Sequence, residues 1–176
     1  RTTTLEIISD VVCPWCYIGK RRFEQALELM GPEVSLQVCW RPYELNPTMP
    51  IDGIERKSYY RKKFGSAQGA DQLIANITAN AHNDGLAMDY ERIVRVPNTR
   101  SAHRLIWLAE RFDCQDSIVD ALFHAYFVAG LDIGNQRELI NIAAQTAIES
   151  AAVEQLFCGD EGLDLVADQA KAARLS

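Results

Sequence analysis

No apolar run in this 176-residue chain is long enough to form a transmembrane helix. Positive charge is also scarce, because 18 Lys and Arg residues stand against 24 Asp and Glu residues, for a net charge of −6. An acidic balance disfavours binding to the phosphates of nucleic acids and to anionic membrane surfaces. We therefore expect no nucleic-acid partner and no membrane partner.

Histidine and cysteine are few, and most of them are isolated. A structural zinc site needs four such ligands at short spacings, so the isolation of these residues predicts no metal site. Five cysteines is an odd number, and unpaired thiols among apolar neighbours are typical of small buried side chains in a reducing cytoplasm. We expect a cytoplasmic protein. The isolated residues are His82, His103, His124, Cys39, Cys114 and Cys158.

The other two cysteines form the tetrapeptide Cys13-Pro14-Trp15-Cys16. A β-branched stretch over residues 2–9 predicts a strand before it, and apolar residues at helical spacing over 17–30 predict a helix after it. Both thiols then lie at a helix N-terminus, where free N–H groups and the helix dipole stabilise a thiolate. We interpret the tetrapeptide as a redox dithiol.

Two other uses of this tetrapeptide are weaker. Half of a zinc site would need a second pair of ligands, and a structural disulfide across so short a loop would constrain the unfolded chain little. The intervening residues tune the chemistry: Pro14 suits the first helical turn, and Trp15 brings no ionisable group. The absence of a histidine between the cysteines argues against an extremely oxidising site.

Downstream of the first helix, alternating apolar residues over 34–40 predict a second strand and so a strand–helix–strand unit with parallel strands. Residues 52–147 show no convincing strand and several helices. A helix over 55–64 is rich in Arg and Lys and is interpreted as a solvated face. Another helix begins at Pro97, has Asn98 and Thr99 as candidate caps, and is expected to bury Phe112.

A succession of motifs over residues 9–23, 40–47, 96–105, 125–127 and 132–134 resembles the FrnE-like branch of the DsbA-like thioredoxin-fold oxidoreductases. The resemblance implies an α/β, thioredoxin-like fold with a large all-helical insertion. The implied domains are an N-terminal thioredoxin-like part over 1–50, an inserted helical domain over 51–148, and a return to the thioredoxin-like domain over 149–176.

The same resemblance implies thiol–disulfide exchange or disulfide isomerisation, with Cys13 as the attacking cysteine and Cys16 as the resolving one. Protein or small-molecule disulfides and thiols would be its substrates, with no cofactor apart from glutathione as a redox partner, and a homodimer is left open. Pro97 and Asn98 could border the site and contact substrate, or they could simply cap a helix. The alternative function is that of a glutathione-dependent isomerase or transferase acting on a small aromatic or polyketide-like molecule, but such relatives typically place serine where Cys13 stands.

The resemblance also implies further elements beyond residue 176. Similar proteins continue there into a Gly-Val-Pro turn, two antiparallel strands and a last helix, and these are absent from the sequence above. Without them the predicted sheet lacks neighbouring strands. We expect the natural polypeptide to continue for roughly 30 to 40 residues, the length that two short strands and a helix require.

Overall fold

The computed structural model describes residues 3–31 and 35–175. Two strands and eight helices make up most of this part, with a two-residue antiparallel ribbon and one 3-10 turn between them. The elements, in chain order, are β1 (Thr3–Ser9), α1 (Pro14–Met30), β2 (Leu36–Pro42), β3 (Ile54–Glu55), α2 (Arg56–Phe64), α3 (Ala67–Asn83), β4 (Arg95–Val96), α4 (Arg100–Ala109), the 3-10 turn (Glu110–Phe112), α5 (Gln115–Phe127), α6 (Gln136–Ala143), α7 (Ser150–Cys158) and α8 (Leu163–Leu175).

The N-terminal unit is the predicted one. Strands β1 and β2 pair in parallel, from Thr3 opposite Leu36 to Ser9 opposite Pro42, and α1 is the crossover between them. The first residues of both predicted strands, Thr2 and Val34, lie outside the described residues. This pairing brings the end of β1, where the dithiol turn begins, beside the loop that follows β2.

Helices α4 and α5 form the centre of the core. Both have wide buried faces, and α5 contributes three aromatic side chains that are fully buried. The strand–helix–strand unit joins the same core through Val11, Ile18 and Trp40. The Trp40 amide on β2 donates to Gln115 Oε1 at 3.0 Å, so α5 is fixed directly to the strand. The buried aromatic residues of α5 are Phe123, Tyr126 and Phe127.

Three expectations about burial and pattern are wrong. Phe112 is 38% exposed, because α4 ends at Ala109 and the 3-10 turn rotates this ring out of the buried stripe. Cys158 is exposed at the end of α7, whereas Cys114 is buried as expected. The ribbon of β3 and β4 was not predicted from sequence, because two-residue strands leave no detectable alternation.

Among the described helices, none combines the length and the apolar character that crossing a membrane requires.

Candidate active site

The dithiol turn joins the end of β1 to the start of α1. Cys13 is the N-cap residue, with an extended backbone at φ −89° and ψ 111°, and Pro14 opens the helix where its missing N–H costs nothing. The Cys13 amide donates to the Asp10 carbonyl at 3.0 Å, and the Cys13 carbonyl accepts from Cys16 N at 3.1 Å. Both cysteines are free and half-buried, and Trp15 between them is 48% exposed.

The two thiols share a hydrogen bond, which changes how the pair ionises. When Cys13 donates to Cys16, the bond lowers the pKa of Cys16 to about 6, against the rise that burial causes. The same bond, together with burial and the neighbouring charge, raises the pKa of Cys13 above that of an ordinary thiol. The first proton therefore leaves the pair readily and the second with difficulty, because two adjacent thiolates would repel each other.

Each sulfur also has its own donors. The backbone N–H groups of Cys16 and Trp15 lower the pKa of Cys13, as expected at a helix N-terminus. The backbone N–H of Asp10 lowers the pKa of Cys16. The sequence predicts that Cys13 is the attacking thiolate, which would require the lower pKa at Cys13. Here the lower pKa is at Cys16, so the attacking role of Cys13 stays a prediction.

A buried carboxylate and a buried imidazole lie behind the dithiol turn. Asp10 is 1% exposed and His103 is 3% exposed, with His103 Nε2 at 3.3 Å from Asp10 Oδ1. The other Asp10 oxygen accepts from the Leu45 amide at 2.7 Å, and His103 Nε2 also lies 3.0 Å from the Tyr43 carbonyl. The negative charge of Asp10 raises the pKa of Cys16, although it is the smallest of the causes acting there. Sequence patterns do not reveal this pair, because 93 residues separate its members.

Aromatic side chains close the site on the side of the helical insertion. The Tyr17 ring stacks on Phe127 at 5.7 Å, Phe127 contacts Tyr90 at 6.1 Å, and Tyr90 contacts Tyr60 at 6.4 Å. Burial raises the pKa of Tyr60 to about 12, and a thiolate at Cys13 adds to that rise. The pKa of Tyr90 is raised for the same reasons, so both phenols stay protonated beside the dithiol.

Pro97 and Asn98 have contacts that explain them structurally. Asn98 Nδ2 donates to the Met49 carbonyl at 2.8 Å, and Asn98 Oδ1 accepts from the Arg100 amide at 3.0 Å at the start of α4. Pro97 is buried. In the described part of the chain, no hydrogen bond joins Asn98 to the dithiol turn, and contact of these two residues with substrate stays a prediction.

One cluster of side chains has the spacing of a metal site. Within the described ranges it is the only such group, made of Glu24, Asp116 and Asp120. The Lys20 ammonium lies among these carboxylates, 2.6 Å from Asp120 Oδ1 and 3.4 Å from Asp116 Oδ2. Lys20 thus supplies the positive charge there, and the cluster contains neither cysteine of the dithiol.

Comparison with known proteins identifies the family. A family model described as the DSBA-like thioredoxin domain matches residues 4–176, which is nearly the whole chain. The chain belongs to the DSBA-like thioredoxin domain family. This membership confirms the predicted α/β thioredoxin-like fold with a helical insertion.

Individual relatives agree with that assignment. A crystal structure of a probable DsbA oxidoreductase from Streptomyces coelicolor is 29% identical, with a TM-score of 0.86, and the match covers 98% of this chain and 76% of that one. The structure of 2-hydroxychromene-2-carboxylate isomerase shares the fold at 13% identity and a TM-score of 0.72, covering 97% of this chain and 79% of that one. An uncharacterized protein from Bacillus subtilis, YwbO, is 24% identical over 86% of this chain and 70% of its own length.

Proposed function

We propose that this protein is a thiol–disulfide oxidoreductase or disulfide isomerase of the FrnE-like branch, acting through Cys13 and Cys16. The observation that carries the proposal is the pair of free, half-buried thiols at the N-terminus of α1, where interaction with Cys13 lowers the pKa of Cys16 to about 6. In a reducing cytoplasm the pair would rest as thiols and serve as a reductant or isomerase.

The exchange reaction balances within the dithiol and its substrate. The Cys13 thiolate attacks one sulfur of a substrate disulfide, forming a mixed disulfide and releasing the other substrate sulfur as a thiolate that takes up a proton. Cys16 then loses its proton and attacks Cys13, which releases the second substrate thiolate. Two electrons pass from the protein dithiol to the substrate, and the protein is left with a Cys13–Cys16 disulfide.

Glutathione-dependent isomerisation is the less favoured function. The isomerase relative is too distant in sequence to support more than a shared fold. This chain has cysteine at both positions of the turn, and a second cysteine has no role where the thiol of glutathione performs the chemistry. Glutathione, a thiol that would regenerate the dithiol, is proposed as a redox partner and not as a resident cofactor.

Trapping of the mixed disulfide tests the proposal. Pre-reduced protein is mixed with a peptide disulfide, quenched with acid and analysed by mass spectrometry. We expect Cys16→Ser to accumulate a covalent adduct with one peptide chain, because its mixed disulfide has no resolving thiol. Cys13→Ser should form no adduct and should reduce no substrate.

A cysteine outside the turn supplies the matched control. Cys158 is exposed and lies at the end of α7, so Cys158→Ser should retain full reduction. Reduction that survives Cys13→Ser would refute the proposed function, and an adduct on Cys16 in that variant would reverse the roles of the two cysteines.

A further inference from the structure

Helix α2 concentrates positive charge in an otherwise acidic protein. Five of the 18 Lys and Arg residues lie in its nine positions, which leaves 13 against 24 acidic residues in the rest of the chain. The chain has no Asp or Glu from residue 56 to residue 70. Four of the five side chains are exposed, and we call them the basic face of α2: Lys57, Arg61, Lys62 and Lys63.

The basic face is not neutralised within the protein. Over residues 3–31 and 35–175, no carboxylate lies within ion-pair distance of any of its four members. Lys63 Nζ instead contacts the Tyr59 hydroxyl at 3.2 Å. Glu55, the nearest acidic residue in the sequence, uses its carboxylate to cap the helix, accepting from Lys57 N at 2.9 Å and Ser58 N at 2.7 Å.

Helix stability accounts for only part of this charge. Cations in the last turn favour the negative end of the helix dipole, which suits Arg61, Lys62 and Lys63. Lys57 lies in the first turn, where a cation opposes the dipole. The fifth basic residue, Arg56, has a separate structural role, because it is buried and its Nε donates to the Ile93 carbonyl at 2.7 Å.

Contacts with the core fix α2 beside the dithiol. The Tyr59 hydroxyl donates to Asn46 Oδ1 in the loop that follows β2. Tyr60 packs against the core and interacts electrostatically with a thiolate at Cys13. A chain of aromatic contacts runs from Tyr60 of α2 through Tyr90 and Phe127 to Tyr17, the residue after Cys16. The four side chains of the basic face are exposed to solvent.

We propose that the basic face of α2 is a docking surface for an acidic polypeptide segment that carries the disulfide to be exchanged. This rests on the proposed function and names the class of substrate. Lys57 and Arg61 lie one turn apart on the same side of α2, about 6 Å along its axis. This is the length of about two residues of extended chain, so carboxylates of one segment can meet both side chains together. Trp15, 48% exposed between the cysteines, offers an apolar contact for the same segment.

The expected effect is on the rate of encounter. An exposed cluster of one sign raises the association rate of an oppositely charged partner by about tenfold or more at low ionic strength. Salt screens that attraction, since the Debye length falls to about 3 Å at 1 M salt. The exchange chemistry at Cys13 is unchanged by docking, so charge preference and chemistry can be measured separately.

Three peptide disulfides that differ only in their flanking residues test the proposal. Each has the same cystine, flanked by Glu, Gln or Lys, and single-turnover reduction by the pre-reduced protein is followed at low and high salt. We expect the Glu peptide to react about tenfold faster than the Gln peptide at low salt, and the Lys peptide to react more slowly than both. The ratio of Glu to Gln rates should approach one at high salt and in Arg61→Gln/Lys62→Gln.

Lys171→Gln is the matched control, because it removes an exposed positive charge from α8, which packs on α4 and β2. This variant should keep the wild-type preference. Melting of each variant is recorded first, and if the double variant is unfolded, Lys62→Gln alone should lose part of the preference.

Equal rates for the Glu and Gln peptides, or a preference that persists in the α2 variants, would overturn the docking surface. A dependence on α2 charge seen only with oxidised glutathione would also overturn it, because the occupant would then be a small disulfide. If none of the peptides is reduced at all, the proposed function fails instead.

Discussion

At the scale of single residues, the site combines side chains that are adjacent in sequence with others that only the fold brings together. Cys13 and Cys16 and their place at a helix N-terminus follow from the sequence, because strand, turn and helix are all local patterns. Asp10 and His103 do not, since their contact depends on how α4 packs against the end of β1. A lone histidine gives no sign in sequence of which carboxylate it will meet.

The charge of Asp10 gives a prediction about thiolate formation. Asp10→Asn removes a negative charge that raises the pKa of Cys16, while the backbone N–H that lowers it remains. We expect the first ionisation of the dithiol to move to lower pH. The pH dependence of the ultraviolet absorbance of the thiolate measures this, with the exposed Asp168→Asn on α8 as the control. An unchanged or higher midpoint would show that Asp10 does not act on the thiols.

At the scale of secondary-structure elements, helix boundaries depend on side chains that bind free backbone groups. The Glu55 carboxylate caps the start of α2, and Arg104 of α4 binds carbonyl groups around the end of α7. The sequence predicts where both helices lie. It does not predict that Arg104 binds the end of α7, because Arg104 is 52 residues or more from the carbonyl groups that it binds.

The Glu55 cap gives a prediction about pH. Hydrogen bonds from Ser58 and from the Lys57 amide lower the pKa of Glu55 from 4.5 to about 2. A group whose pKa is lowered on folding adds stability above its unfolded pKa, and that stability is lost as the pH falls toward the folded pKa. The wild type should therefore be more stable than Glu55→Gln above pH 4.5, and the difference should vanish near pH 2. Denaturant unfolding across this range measures it, with Glu154→Gln as a control that should show no such trend.

The contact between Arg104 and the end of α7 gives a prediction about stability. Arg104 is 3% exposed and donates to the carbonyl groups of Leu156, Gly159 and Glu161 at 2.7, 2.7 and 2.9 Å. Arg104→Met leaves these acceptors without a donor and should destabilise the protein by about 3 kcal/mol.

Arg111 is the matched control, because it binds a side-chain oxygen of Glu161 at 2.6 Å with half of both side chains exposed. Arg111→Met should cost about 1 kcal/mol or less. Equal losses in the two variants, measured by chemical denaturation, would contradict the role given to Arg104.

At the scale of the whole molecule, Lys20 joins the strand–helix–strand unit to the helical insertion. Its ammonium group binds Glu24 on its own helix and Asp116 and Asp120 on α5, and Asp116 Oδ1 also accepts from the Trp40 indole at 3.1 Å. Burial alone would lower the pKa of Lys20, but the hydrogen bonds to Asp120 and Glu24 outweigh it, so the pKa is raised. The lysine therefore stays charged in the folded protein at neutral pH.

Lys20→Met should destabilise the protein by about 2 kcal/mol at neutral pH, because three carboxylates lose their counter-ion. A fully buried cluster would lose more, but Asp116 and Asp120 have side chains that are about half exposed. The loss should shrink below about pH 4, where the carboxylates become neutral. Thermal melting of both proteins at several pH values tests this. A stability difference that is the same at every pH would mean that Lys20 acts through packing alone.

The strand–helix–strand unit and most of the helices could be predicted because each repeats apolar residues at its own period. The β3–β4 ribbon, the outward turn of Phe112 and the exposure of Cys158 could not, since they depend on where neighbouring elements end. The division into domains at residues 50 and 148 stays a prediction.

The hydrogen bond between Trp40 and Gln115 has a consequence for synthesis of the chain. Ribosomes extend the chain at about 5 to 20 residues per second, and the two partners are 75 residues apart. The amide of Trp40 therefore leaves the ribosome about 4 to 15 s before its acceptor does. During that interval the Trp40 amide at the edge of β2 can bond a carbonyl group of another chain, and Gln115 on α5 takes up that amide when it arrives.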